Sequence, residues 1–122
     1  MENTSDLQGI SATAQDYFEG MYDKDLDRLR KAFAPSAVLI GYFKGDLLNL
    51  PLDRWLKMLE ERPSPRDSGE AFDMRVVSTD VTGRVAAVKV VDLCFGMRYT
   101  DYLNMVKTDG QWKIVNKTFH HD

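Results

Sequence analysis

The spacing of apolar positions changes halfway along the chain. In the first half they recur at three- and four-residue steps. Leu7, Ile10, Ala14, Tyr17, Phe18 and Met21 make one stripe, the mark of an amphipathic helix. Asp23 or Asp25 can cap a second, short helix that turns Leu26, Leu29 and Phe33 inward, and Pro35 stops it. The run 37–43 reads as a strand, Lys44-Gly45-Asp46 as a turn and Leu47-Leu48 as a short return. Pro51 suits the first turn of a third helix, where its missing N–H costs nothing, and Leu52, Trp55, Leu56 and Leu59 follow at helical spacing. That helix ends near Glu61-Arg62, ahead of a polar, breaker-rich loop over 63–70.

Beyond that loop the chain reads as strands over 71–79, 85–95, 97–107 and 111–119, with Thr82-Gly83 as a tight link and Gly96 as a break or bulge. Asp109-Gly110 between the last two is a strong hairpin signal, because a type I′ turn needs positive φ at both central residues. A two-residue loop there sets Thr108 opposite Gln111, Leu103 opposite Asn116, Tyr102 opposite Lys117 and Asn104 opposite Val115. Thr100, Tyr102, Asn104, Val115, Lys117 and Phe119 then share one face of the ribbon, and Leu103, Met105, Trp112 and Ile114 share the other. Helices followed by antiparallel strands predict an α+β fold, a curved antiparallel sheet wrapped around three N-terminal helices. Helices cover one face of such a sheet. The apolar set Leu103, Met105, Trp112 and Ile114 on the other face therefore predicts a homodimer through the back of the sheet.

Composition narrows the partners. A length of 122 residues predicts one domain over 1–122, and 43% hydrophobic with 29% charged residues is ordinary for a globular protein. A net charge of -3 with mixed signs and no basic stripe argues against nucleic acid. No apolar run approaches a membrane span, and the acidic start is unlike a signal peptide, so the cytoplasm is the expected location. Cys94 is the single cysteine and reads as a small core residue in a strand. His120 and His121 point opposite ways on a regular strand and have no third ligand nearby, so no metal site is expected. Glycines stand singly, without a phosphate-binding loop, and no cofactor is expected.

Three segments carry a family resemblance: 14–20 with Asp25-Leu26-Asp27-Arg28-Leu29, then Phe33-Ala34-Pro35-Ser36-Ala37-Val38-Leu39, and the terminal hairpin. The order α-α-β-β-α-β-β-β-β resembles the nuclear transport factor 2-like cone fold, shared by ketosteroid isomerase, scytalone dehydratase and the polyketide cyclases. Within it, Thr100-Asp101-Tyr102-Leu103 and Trp112-Lys113-Ile114-Val115-Asn116-Lys117 are most similar to the putative lumazine-binding group. The resemblance implies a cone with an internal pocket. It sets Tyr17 where ketosteroid isomerase has a hydrogen-bond donor to the substrate oxygen. The isomerase's base on the first strand matches Leu39-Ile40-Gly41, which has no carboxylate, and its protonated aspartate falls near Asn104.

The same alignment turns the Tyr102 face of the hairpin toward the helices. Tyr17, Trp55, Tyr102, Asn104, Lys117 and Phe119 are then the expected ligand-binding set, donor-rich inside apolar walls. Such a set favours a compact apolar ligand with carbonyl or carboxylate groups. Lys117 is a candidate base if desolvated, or else it snorkels to water or pairs with Asp101 or Asp73. Asp101 is an interface carboxylate in this register. A one-residue slip would bring it into the pocket as a candidate general base. Arg98 could stand at the pocket mouth or at a solvated edge. The expected function is small-molecule binding. The alternatives are a cofactor-independent isomerase, dehydratase or cyclase, and an interaction module with a filled cone.

Overall fold

The structure, a computed structural model, describes residues 4–122. Among these residues the elements are α1 (Thr4–Asp23), α2 (Leu26–Ala32), β1 (Phe33–Phe43), β2 (Asp46–Pro51), α3 (Leu52–Glu60), β3 (Met74–Thr82), β4 (Val85–Cys94), β5 (Met97–Thr108) and β6 (Gln111–His121). The strands form one sheet in the order β2-β1-β6-β5-β4-β3. Every pairing is antiparallel except β1 with β6, which run parallel, so the sheet of this α+β fold is mixed. It curves around the helices without closing, because β2 and β3 remain as edges. No helix of the described residues is long and apolar enough to cross a membrane.

Local chemistry accounts for the elements. Asp25, rather than Asp23, caps α2, its carboxylate accepting the Arg28 N–H at 3.1 Å. Phe33 is already extended ahead of Pro35, which ends α2 and starts β1 earlier than the apolar run alone indicates. Leu52, Trp55, Leu56 and Leu59 of α3 are all buried. Lys44-Gly45, Phe95-Gly96 and Asp109-Gly110 are each pairs of positive-φ residues, the geometry of two-residue primed turns. Gly96 therefore closes a hairpin between β4 and β5 and is not a bulge within one ribbon.

The bulge lies elsewhere. From the Asp109-Gly110 turn the register runs as expected, Thr108 with Gln111, Val106 with Lys113 and Met105 with Ile114. It then slips by one, so that Asn104 faces Asn116, Leu103 faces Lys117 and Tyr102 faces Thr118. Val115 is the extra residue. Because strand side chains alternate with period two, one inserted residue lets Trp112 and Ile114 face the same side as Lys117 and Phe119. That side is the helix side. Leu103, Met105 and Ile114 are at most 1% exposed and Trp112 is 5% exposed, so these four are core residues and not the back-face interface expected of them. Tyr102, 48% exposed, and Asn104, which hydrogen-bonds Asn116, lie on the outer face, outside the concave set in which they were expected.

Gly41 on β1 pairs with Phe119 on β6, and an added Cβ would stand 2.2 Å from the Phe119 carbonyl oxygen and 2.6 Å from its ring. No side-chain adjustment relieves a backbone clash. Gly41→Ala should destabilise the fold by about 3 kcal/mol, the upper range for overpacking, read as a lower urea midpoint at unchanged m-value.

Candidate functional site

A cavity of about 70 Å³ opens between α3, the β1–β2 hairpin and the far ends of β4, β5 and β6. Its walls are apolar, with Phe43, Leu50, Trp55, Phe95 and Phe119 among them. Asp92, Cys94, Tyr99, Lys117 and Arg62 supply its polar atoms.

Beneath the cavity sits a cluster of buried ionisable groups. Asp92 is 1% exposed, Asp101 and Tyr17 are 0% exposed and Lys117 is 5% exposed. Asp101 pairs across the ladder with Val90, two residues from Asp92, so the two carboxyls are diagonal neighbours on the inward face. The Tyr17 hydroxyl donates to Asp101 Oδ2 at 2.7 Å, and the Cys94 thiol donates to Asp92 Oδ2 at 3.6 Å. Each aspartate keeps an Oδ1 with no donor among the described residues.

Burial drives the Asp92 carboxyl well above the usual carboxylate range. The charge of Asp101 and a hydrogen bond with it add to the rise, and Lys117 opposes it. The surroundings of Asp92 thus favour its protonated form. An O–H at Asp92 directed to Asp101 supplies the donor that both orphaned oxygens lack. Burial likewise raises the Tyr17 hydroxyl and the Cys94 thiol, so Cys94 is no thiolate nucleophile.

Lys117 is held by rings. Its ammonium lies 4.7 Å from the Trp55 ring centre, 5.0 Å from Tyr17 and 5.4 Å from Phe119. It makes no hydrogen bond or ion pair with another described residue, so its N–H donors are open to a ligand. Tyr99 lines the same cavity, its phenol pushed up to about 12 by burial.

Of the residues expected to bind ligand, Trp55, Lys117 and Phe119 stand in the cavity wall, and Tyr17 lies below it on Asp101. Asp101 faces inward with Leu103 and Met105 rather than lying on the back face expected of it, and it does so without a slip at Gly96 or at the turn, because the Leu103 face of β5 is the helix side. Arg98 pairs with Asp73 at the sheet edge. Asp92 and Arg62 were missed. Asp92 had a signal, since it shares parity with Val88, Val90 and Cys94, all 0% exposed in β4. Arg62 had none beyond its place at the end of α3.

Residues 5–120 match the family described as "Putative lumazine-binding". Aldolase FrzH of Cladobotryum sp is 29% identical over 117 residues, covering 96% of this chain and 92% of that protein. An NTF2-like protein of unknown function from Shewanella baltica superposes with a TM-score of 0.88 at 24% identity, covering 100% of this chain and 98% of the other. One from Silicibacter pomeroyi, also of unknown function, gives 0.85 at 24% identity over 100% of both chains. These structures share the fold, and the fold alone fixes no activity.

The Asp92 shift has a consequence for stability. A carboxyl whose value is raised on folding binds more protons in the folded state. Its favourable contribution is complete below the unfolded carboxylate value and is lost as pH climbs through the folded one. Asp92→Asn is neutral, near-isosteric and able to donate to Asp101. Between about pH 5 and pH 8 the urea midpoint of the wild type should fall relative to that of Asp92→Asn. Parallel curves for the two proteins would show that Asp92 is not raised.

Proposed function

The chain belongs to the putative lumazine-binding family, and we propose that it binds a compact carbonyl compound in the cone and moves a proton at the adjacent carbon. The observation that carries this reading is a pair of buried carboxyls, Asp92 and Asp101, each with an oxygen that lacks a donor, beside a cavity whose wall holds Asp92 and Lys117; one proton shared by the pair is part of the reading. The Lys117 ammonium receives the carbonyl oxygen. As the adjacent C–H bond breaks, negative charge grows on that oxygen beside a fixed cation whose rings need not reorganise.

Asp92 passes its proton to Asp101 and accepts the substrate's, so the pair goes from one proton to two while the ketone becomes an enolate. Tyr17 keeps Asp101 oriented through this exchange. Return of the proton to another carbon is an isomerisation, and addition of the enolate to a second carbonyl is an aldol reaction. The relative named an aldolase supports chemistry of this second kind. Met58, one of the residues lining the cavity, is 41% exposed.

Deuterium exchange at the carbons flanking a ketone tests the proposal without knowledge of the natural substrate. A series from 2-oxobutanoate to 5-oxohexanoate in D₂O, followed by proton NMR, should exchange faster with the wild-type protein than in buffer. Asp92→Asn should lose about 10²- to 10⁴-fold of that acceleration and Lys117→Met about 10²- to 10³-fold. Tyr102→Phe, on the outer face, should change nothing. Binding with no exchange above the buffer rate would leave a receptor and remove the catalyst.

A further inference from the structure

We propose that Arg62 binds a carboxylate on the ligand, which makes the substrate class a short oxo acid. The proposal rests on the carbonyl-binding reading above and adds a second anchor to it. Arg62 follows α3 directly, and its backbone is tied at both ends. Its N–H donates to the Leu59 carbonyl at 3.1 Å, and its own carbonyl accepts from Lys24 Nζ at 2.8 Å. The guanidinium lies 4.7 Å from the Phe95 ring centre and 5.2 Å from that of Phe43. All three residues line the cavity that contains Lys117 and Asp92.

Arg28, Arg30, Arg66 and Arg98 each meet a carboxylate. Among the described residues the Arg62 guanidinium meets none; Arg54, Arg75 and Arg84 form no ion pair either, and Arg62 is the arginine without one that lines this cavity. It makes no hydrogen bond or ion pair with another described residue, although its rings hold it in place. A planar, pre-positioned fork of N–H donors without an acceptor is the group that matches a carboxylate.

Lys117 stands near Asp92, whereas no carboxylate of the cavity wall pairs with Arg62, so a monoanion compensates the guanidinium and a neutral ketone does not. No second arginine lines the cavity to take a dianion.

Quenching of Trp55 fluorescence, with Trp55 in the cavity wall, reads binding independently of exchange. The probes are the oxo acids from 2-oxobutanoate to 5-oxohexanoate, their methyl esters, and inorganic phosphate. The wild type should bind the best-fitting acid about tenfold or more tighter than its ester, the ratio expected for one hydrogen-bonded charge. Arg62→Met keeps the apolar stem. It should abolish the preference while binding the ester as the wild type does, which also shows that the variant is folded. Arg62→Lys should recover part of the preference.

A preference that survives Arg62→Met overturns the assignment. So does a wild type that binds ester as tightly as acid, binds none of the acids, or binds phosphate more tightly than any of them. If the acid preference depends on Arg62 while Asp92→Asn leaves exchange unaltered, the proton-transfer reading fails and the carboxylate subsite stands.

Discussion

Side chains on a strand alternate, and this sheet has to bury two runs of opposite parity on β6. Trp112 and Ile114 close the core near the Asp109-Gly110 turn, while Lys117 and Phe119 face the cavity at the other end. A regular strand can present only one of these sets to the helices. The extra residue at Val115 resolves the conflict, and the site follows from it. Leu103 comes opposite Lys117 and Asp101 opposite Phe119, so an aspartate, a lysine and the core share one face. Without the bulge, either Lys117 would lie in water or Ile114 would.

Charged groups brought inside a core must be compensated, because desolvation of each costs several kcal/mol in real proteins. Here the compensation is partial and specific. Tyr17 and Cys94 each satisfy one carboxyl oxygen, and the two oxygens left over have no donor among the described residues, a setting that favours the protonated form of Asp92. Lys117 receives only aromatic faces. A core optimised for stability alone would carry apolar residues at Asp92 and Lys117, since their neighbours Val90 and Leu103 already do so at 0% exposure. Ionisable groups buried in this way at the wall of a cavity are the arrangement on which the proposed proton transfer rests.

Most of the architecture is legible in the sequence, because it is written in local signals. Helical stripes, the Asp25 cap, Pro51 and the positive-φ turn pairs each act over a few residues. The site is less legible because it depends on register over long separations. The turn dictates pairing for four rungs, and nothing in Ile114-Val115-Asn116 announces that the fifth slips. That one residue brings Lys117 and Phe119 to the side of Trp112 and Ile114, while β5 keeps its alternation, with Asp101 inward beside Leu103 and Met105 and Tyr102 and Asn104 outward. Asp92 was readable by parity alone, yet a lone acid in an apolar strand also fits an edge position. The parallel pairing of β1 with β6 joins the first and last strands of the chain, and no local pattern encodes it.

The resemblance to ketosteroid isomerase directs attention to the first strand for a base, and the structure shows why this chain cannot keep one at the matching stretch. Leu39 is 0% exposed in the core. Ile40 lies between the inward Leu39 and Gly41 and so points to the opposite face. Gly41 has no room for even a methyl group, since Phe119 fills the space where a side chain would project. Phe119 occupies that space because the bulge turned it inward, and from there it closes the aromatic cage on Lys117. The close approach that excludes a carboxylate from β1 is thus coupled to the placement of the lysine. The acid enters from β4 and β5, on the far side of β6, where Val90 and Leu103 leave polar neighbours room in the ladder. The same cone can therefore carry acid–base groups on different strands, and which strand supplies them is decided by where the sheet breaks its own alternation.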